Sequence, residues 1–246
     1  MVIDIFIRTY SKDYFLLNYS LMSIIKFIKG YRFIHICSRE KDYNGLLKLI
    51  ESNPLIKDNP TIKTHKSHDF PDNIDYCGQQ IIKLSADYFS DAEYICYTDS
   101  DTIYYGDINL ENEFIDKFNK LNLFVDIWSN VGDANCWKKC LKKLDLLTDY
   151  EFMRRLPIVI PSCILKEIRF LIEKKINKEF IVGCLDIYNS EGISEFNIMS
   201  SYMYLFNSEN CNIINISEAR KLPILQLWSH SNKDELMSDI NRVLNI

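Results

Sequence analysis

The 246 residues are 47% hydrophobic and 26% charged and carry a formal net charge of −5. That length and balance describe a folded α/β-sized chain with a substantial core, and they exclude a disordered polymer or a small free-standing module. The acidic balance argues against a protein that neutralises many phosphates along a nucleic acid, while a single bound nucleotide stays compatible.

The opening Met-Val-Ile-Asp-Ile-Phe-Ile-Arg sets Asp4 and Arg8 in an apolar run, the pattern of a strand over 2–8 and not of a signal peptide. Apolar residues at helical spacing predict a helix over 14–28. The same alternation repeats as a strand over 31–37, a helix over 42–50, a short strand over 61–64, a helix over 75–89 and a compact strand over 93–97. The second half is less regular. Strands are expected over 123–128, 157–161 and 222–228, and helices over 137–147, 164–176, 194–206 and 234–244. No repeat or low-complexity linker divides the chain, so a single domain over 1–246 is expected.

Strands alternating with helices imply right-handed crossovers and a mostly parallel sheet covered on both faces, an α/β Rossmann-like architecture. Ligands in such sheets sit outside the carboxyl ends of the strands, which places the segments after Arg8, Cys37 and Tyr97 on one rim. No window of about 18 uninterrupted apolar residues occurs, so no transmembrane segment is expected and a cytoplasmic location follows. The eight cysteines lack a Cys-x-x-Cys pair and read as reduced thiols.

Asp99-Ser100-Asp101 follows the apolar run Tyr94-Ile95-Cys96-Tyr97-Thr98. Two carboxylates one residue apart at a strand exit can converge on a divalent cation, Mg²⁺ or Mn²⁺, which keeps sites for water and phosphate oxygens. Asp also favours turns, so an isolated Asp-x-Asp is weak evidence, and its position on the ligand rim supplies the weight. Asp101 is the more direct ligand in this reading, while Asp99, nearer the strand, would hold ribose or a metal-bound water. Gln79 and Lys83, four residues apart, share one helix side, from which Lys83 can meet a diphosphate or simply face solvent. His65 and His68 are three apart and read equally as a metal pair or a polar loop. His230 follows an apolar strand at its exit.

Thr98-Asp99-Ser100-Asp101 after an apolar strand resembles the metal-binding motif of GT-A-type glycosyltransferases. The opening Ile7-Arg8-Thr9-Tyr10-Ser11-Lys12-Asp13-Tyr14 resembles the nucleotide-binding start of that family, and the run Gly78-Gln79-Gln80-Ile81-Ile82-Lys83-Leu84 resembles a bacterial and giant-virus branch of it, whose setting would be the cytoplasm, or the host cytoplasm for a viral chain. The likeness covers roughly the first 110 residues well and the remainder loosely. It implies a nucleotide-sugar-binding part over 1–110 and an acceptor-binding part over 111–246. It further implies that Arg8, Thr9 and Tyr10 line the base and ribose of the donor, with Gln79, Lys83, Asp99 and Ser100 near ribose or phosphate. Asp99, Asp101 and His230 would hold Mn²⁺ or Mg²⁺. Glu195, at the start of the helix over 194–206, would be the base that takes the acceptor proton, with Asp186 in reserve. The implied reaction is transfer of a sugar from a nucleotide-diphosphate sugar, UDP favoured, to a hydroxyl of a glycan or other acceptor. The alternatives are a sugar nucleotidyltransferase, disfavoured because no glycine-rich loop precedes Gly30, and a non-catalytic carbohydrate-binding protein on the same fold.

Overall fold

The opening apolar run forms the strand Ile3–Thr9, buried along its whole length at the centre of a five-stranded sheet. The computed structural model describes residues 1–154, 156–227, 237–238 and 240–242. Ile34–Arg39 pairs in parallel with one side of the central strand, and Ile62–Ser67 lies in parallel beyond it. Tyr94–Tyr97 pairs in parallel with the other side, and Ile158–Pro161 closes that edge antiparallel. The chain thus winds outward through its second and third long strands and then returns across the first. Helices flank the sheet, giving a mixed α/β, mostly parallel architecture compatible with a Rossmann-like fold. The return creates a topological switch point, and its crevice lies outside the carboxyl ends of the first and fourth strands, between Thr9 and Thr98.

The helix expected over 75–89 ends early, as Asp75–Lys83 followed by a separate 3₁₀ turn Ala86–Tyr88. Its last carbonyls are claimed from outside. The Tyr97 hydroxyl donates to the Lys83 carbonyl at 3.1 Å, and Arg169 Nη1 donates to that of Leu84 at 2.8 Å. The helix expected over 137–147 shrinks to Lys138–Lys143, because Asp145 turns left-handed at φ 57° and Leu146 N–H folds back to the Leu141 carbonyl.

A helix without a matching expectation, Phe180–Glu191, packs on the helix Cys163–Ile176. Its β-branched and glycine-containing start hides the helical period. Gly183 has a packing reason: a Cβ there would meet Ile172 Cγ2 at 3.2 Å. A second sheet joins Cys211–Asn215, Leu121–Ile127 and Tyr150–Glu151. One hydrophobic cluster runs from Ile3 to Leu222 and draws on both halves of the chain. The strand expected over 222–228 is Ile224–Gln226, which pairs antiparallel with Thr102–Tyr104. Trp228, His230 and most of the helix expected over 234–244 lie outside the described residues.

At the amino end of the sheet, away from the switch point, the fully buried Asp4 is enclosed by donors. Arg32 Nη2 reaches it at 2.7 Å, His35 Nε2 at 2.9 Å and Ser90 Oγ at 2.5 Å. His35 Nδ1 continues to His65 Nε2 at 2.9 Å, with the rings stacked. Burial opposes ionisation of Asp4, but these hydrogen bonds outweigh it and hold the carboxyl well below the usual range.

Candidate functional site

The acidic triplet forms the turn between Tyr94–Tyr97 and Thr102–Tyr104, closed by Thr102 N–H on the Asp99 carbonyl at 3.2 Å. The three residues are turn residues, and the turn stands at the switch-point crevice. Two further bonds fix it. Ser100 Oγ donates to Asp13 Oδ2 at 3.0 Å, and Leu227 N–H donates to the Asp101 carbonyl at 2.8 Å.

Lys83 joins the two halves of the site. Its ammonium lies 2.8 Å from Asp99 Oδ1, 3.0 Å from Glu195 Oε1 and 4.5 Å from the centre of the Phe196 ring. Its side chain is only 6% exposed and that of Glu195 5%, so this is a buried ion cluster and not a solvated helix face. Burial disfavours the Lys83 charge, but the Asp99 and Glu195 carboxylates outweigh it and push the ammonium's pKa above its ordinary value.

Asp101 is in the opposite condition. Burial, then the Asp99 and Asp13 carboxylates, push its carboxyl up to about 7. Its Oδ1 is buried and has no hydrogen-bond partner among the described residues. A carboxylate crowded by like charges, with an oxygen facing no donor, fits an anchor for a hard divalent cation. Among the described residues, no group of three or more His, Cys, Asp and Glu is gathered closely enough to hold a metal. A cation on Asp101 would thus take its remaining ligands from water, phosphate or outside the described residues, as Mg²⁺ commonly does with water and phosphate. His230 is outside them.

On the other bank of the crevice, Arg8 is buried and donates through Nη2 to Asp75 Oδ1 at 2.6 Å, while its Nε and Nη1 find no partner. Thr9 Oγ1 is likewise buried without one. The Arg39 guanidinium stands 5.5 Å from the centre of the Tyr10 ring. Arg8, Thr9 and Tyr10 end the central strand on the same rim as the triplet.

Glu195 begins the helix Glu195–Phe206, whose N-cap Ser194 accepts the Asn197 N–H. Gln80 Oε1 accepts the Glu195 N–H at 3.3 Å, whereas the half-buried Gln79 makes no such contact. Gln80 precedes Lys83 by three residues, and that helical spacing was the available signal for it. Asn197 Nδ2 reaches the buried Glu151 Oε1 at 2.9 Å, and Arg154 Nε reaches Glu151 Oε2 at 2.9 Å. Asp13, Gln80, Glu151 and Asn197 all support the site without having been expected there. Only Gln80 carried a local pattern.

Asp186 is not brought to this cluster. It pairs with Lys178 at the surface of the helix Phe180–Glu191. His65 and His68 do not form a metal pair: His65 stacks on His35, and His68 packs edge-on against Phe70. Trp128 is buried with its Nε1 on the Thr148 carbonyl, so its ring is not offered to a sugar. A cleft of about 720 Å³ lies apart from the triplet, lined by Phe70, Ile81, Tyr88, Arg169 and Phe170 among others. Among the described residues, no helix is long and apolar enough to cross a membrane. No protein-family model matches the chain, and no curated protein matches its sequence.

Proposed function

We propose that the chain is a metal-dependent glycosyltransferase of the GT-A type, moving a sugar from a nucleotide-diphosphate sugar, UDP favoured, to a hydroxyl of a glycan or other acceptor. The observation that carries this reading is the Asp101 carboxyl at the switch-point crevice, raised by burial and by its acidic neighbours and with a buried oxygen unpartnered among the described residues, beside the Asp99–Lys83–Glu195 cluster.

Mn²⁺ or Mg²⁺ would be held by Asp101 and would supply electrostatic compensation for a leaving diphosphate. Asp99, tied to Lys83, is better placed to fix that lysine than to give both oxygens to a metal. Lys83 is a second cation fixed near the same charges, and its long stem lets it shift from carboxylate to phosphate. Glu195 is the candidate base, paired with the Lys83 ammonium and turned inward at the start of its helix. Arg8, with two unspent donor nitrogens, and Thr9, with an unspent hydroxyl, supply polar contacts for base or ribose.

The test is thermal stabilisation and donor hydrolysis with Mn²⁺ and a panel of sugar nucleotides. Stabilisation by one nucleotide in the presence of metal, lost in Asp101→Ala, is the expected result. Neither binding nor hydrolysis of any donor by the intact chain rejects the reading.

A further inference from the structure

A second cleft, of about 490 Å³, is lined among others by Arg154, Leu156, Arg220, Lys221, Ile224 and Gln226. None of its described lining residues is acidic, although the chain as a whole has 34 acidic against 29 basic side chains. Arg154 gives its Nε to the buried Glu151 and keeps its side chain 26% exposed. Arg220 makes only a long, exposed contact of 3.4 Å with Glu113. Lys221 is exposed and has no ion pair among the described residues.

The two walls of this cleft lead to the two halves of the candidate site. One wall is the strand Ile224–Gln226, in which Gln226 pairs with Thr102 and which ends where Leu227 N–H meets the Asp101 carbonyl. The other is the Arg154 segment, bound through Glu151 to Asn197 at the start of the helix that carries Glu195. The cleft is thus joined by one wall to the turn of the candidate cation ligand and by the other to the helix of the candidate base. The volume suits a sugar ring with a substituent, and Leu156, Ile216 and Ile224 give the ring an apolar wall. Arginine and lysine recognise an oxyanion, and among the described residues Lys221 has no acid competing for its ammonium.

We infer that this cleft receives the acceptor and that the acceptor carries an oxyanion, a phosphate or a carboxylate, on the sugar next to the reacting hydroxyl. The inference rests on the glycosyl-transfer reading for the word acceptor, but the anion preference rests on the cleft alone.

Calorimetric titration of the full chain, without donor, with methyl glucoside, methyl glucuronide and glucose 6-phosphate tests it. Both charged sugars should bind about tenfold more tightly than the neutral one, an advantage that shrinks as salt rises. Arg220→Gln combined with Lys221→Gln, both at exposed positions, should remove that advantage, with circular dichroism showing that the fold is kept. Whichever charged sugar binds more tightly identifies the anion. Equal binding of charged and neutral sugars overturns the inference, as does an advantage that survives the double substitution. Complete displacement of the charged sugars by UDP with Mn²⁺ also overturns it, since the anion would then occupy the donor's place. If UDP with Mn²⁺ fails to bind while the charged sugars still discriminate, the transferase reading falls and the anion cleft stands.

Discussion

Replacing Lys83 by methionine keeps an unbranched side chain and removes the charge between Asp99 and Glu195. The two carboxylates then face a site without its cation, Glu195 5% exposed and Asp99 29% exposed. Breaking a buried pair from one side costs about 3–5 kcal/mol, and the partial exposure of Asp99 places this case near the lower end. At ~3 kcal/mol, a chain of this size loses roughly 6–12 °C in Tm. That is a large share of a total stability of about 5–15 kcal/mol. The assay is urea and thermal unfolding followed by circular dichroism at pH 7. Adding Glu195→Gln neutralises the more buried carboxylate and should restore roughly 1–3 kcal/mol, the coupling scale of groups in direct contact. A loss below about 1 kcal/mol in Lys83→Met, or no recovery in the double variant, refutes a charge-balanced cluster.

Asp101→Asn should stabilise the metal-free chain, and in a pH-dependent way. The folded carboxyl sits at about 7 against an ordinary 3.8, so its cost to stability appears as pH rises above 4 and is complete above 7. The gain in Tm should therefore be small at pH 4 and full at pH 8, and a gain constant across that range contradicts the assignment. His65 is shifted the other way, lowered from 6.5 to about 4 by burial and by His35, so its contribution is complete above 6.5 and lost as pH falls through 4. His65→Gln should flatten the loss of urea midpoint between pH 6.5 and 4, and an unchanged slope removes that explanation. Gly78→Ala places a Cβ 2.4 Å from Cδ2 of the buried Phe70 ring, and overpacking of this kind costs about 1–3 kcal/mol in chemical denaturation. An unchanged unfolding midpoint in Gly78→Ala contradicts that contact.

The first half of the architecture was legible because each long strand is a continuous apolar run and each helix repeats its apolar residues at the helical period. Ile3–Thr9, Ile34–Arg39 and Tyr94–Tyr97 lie close to where those runs predict them. The rim at the carboxyl ends followed from their alternation together with general winding rules, whereas the strand order that makes a switch point there came only with the structure. The electrostatics were not legible. That Lys83 belongs to a buried cluster depends on Glu195, which comes from the other half of the chain, and no local period encodes that meeting. Helix ends failed for a related reason: the early stop of Asp75–Lys83 is made by Tyr97 and Arg169, which are remote in sequence. Phe180–Glu191 was missed because Gly183 and β-branched neighbours read as irregular until packing against Ile172 gives them a purpose.

The hydrogen bond from Leu227 to Asp101 also bears on when the site comes into being during synthesis. The sheet's first four strands can pair once residues 1–97 have left the ribosome, but the turn that carries Asp101 gains the Ile224–Gln226 strand and its clasp at Leu227 only after residue 227 has emerged as well. A nascent chain halted before residue 222 would hold a paired sheet with an unbraced acidic turn. The bracing of that turn and the basic cleft would then arrive together, since both use the strand Ile224–Gln226.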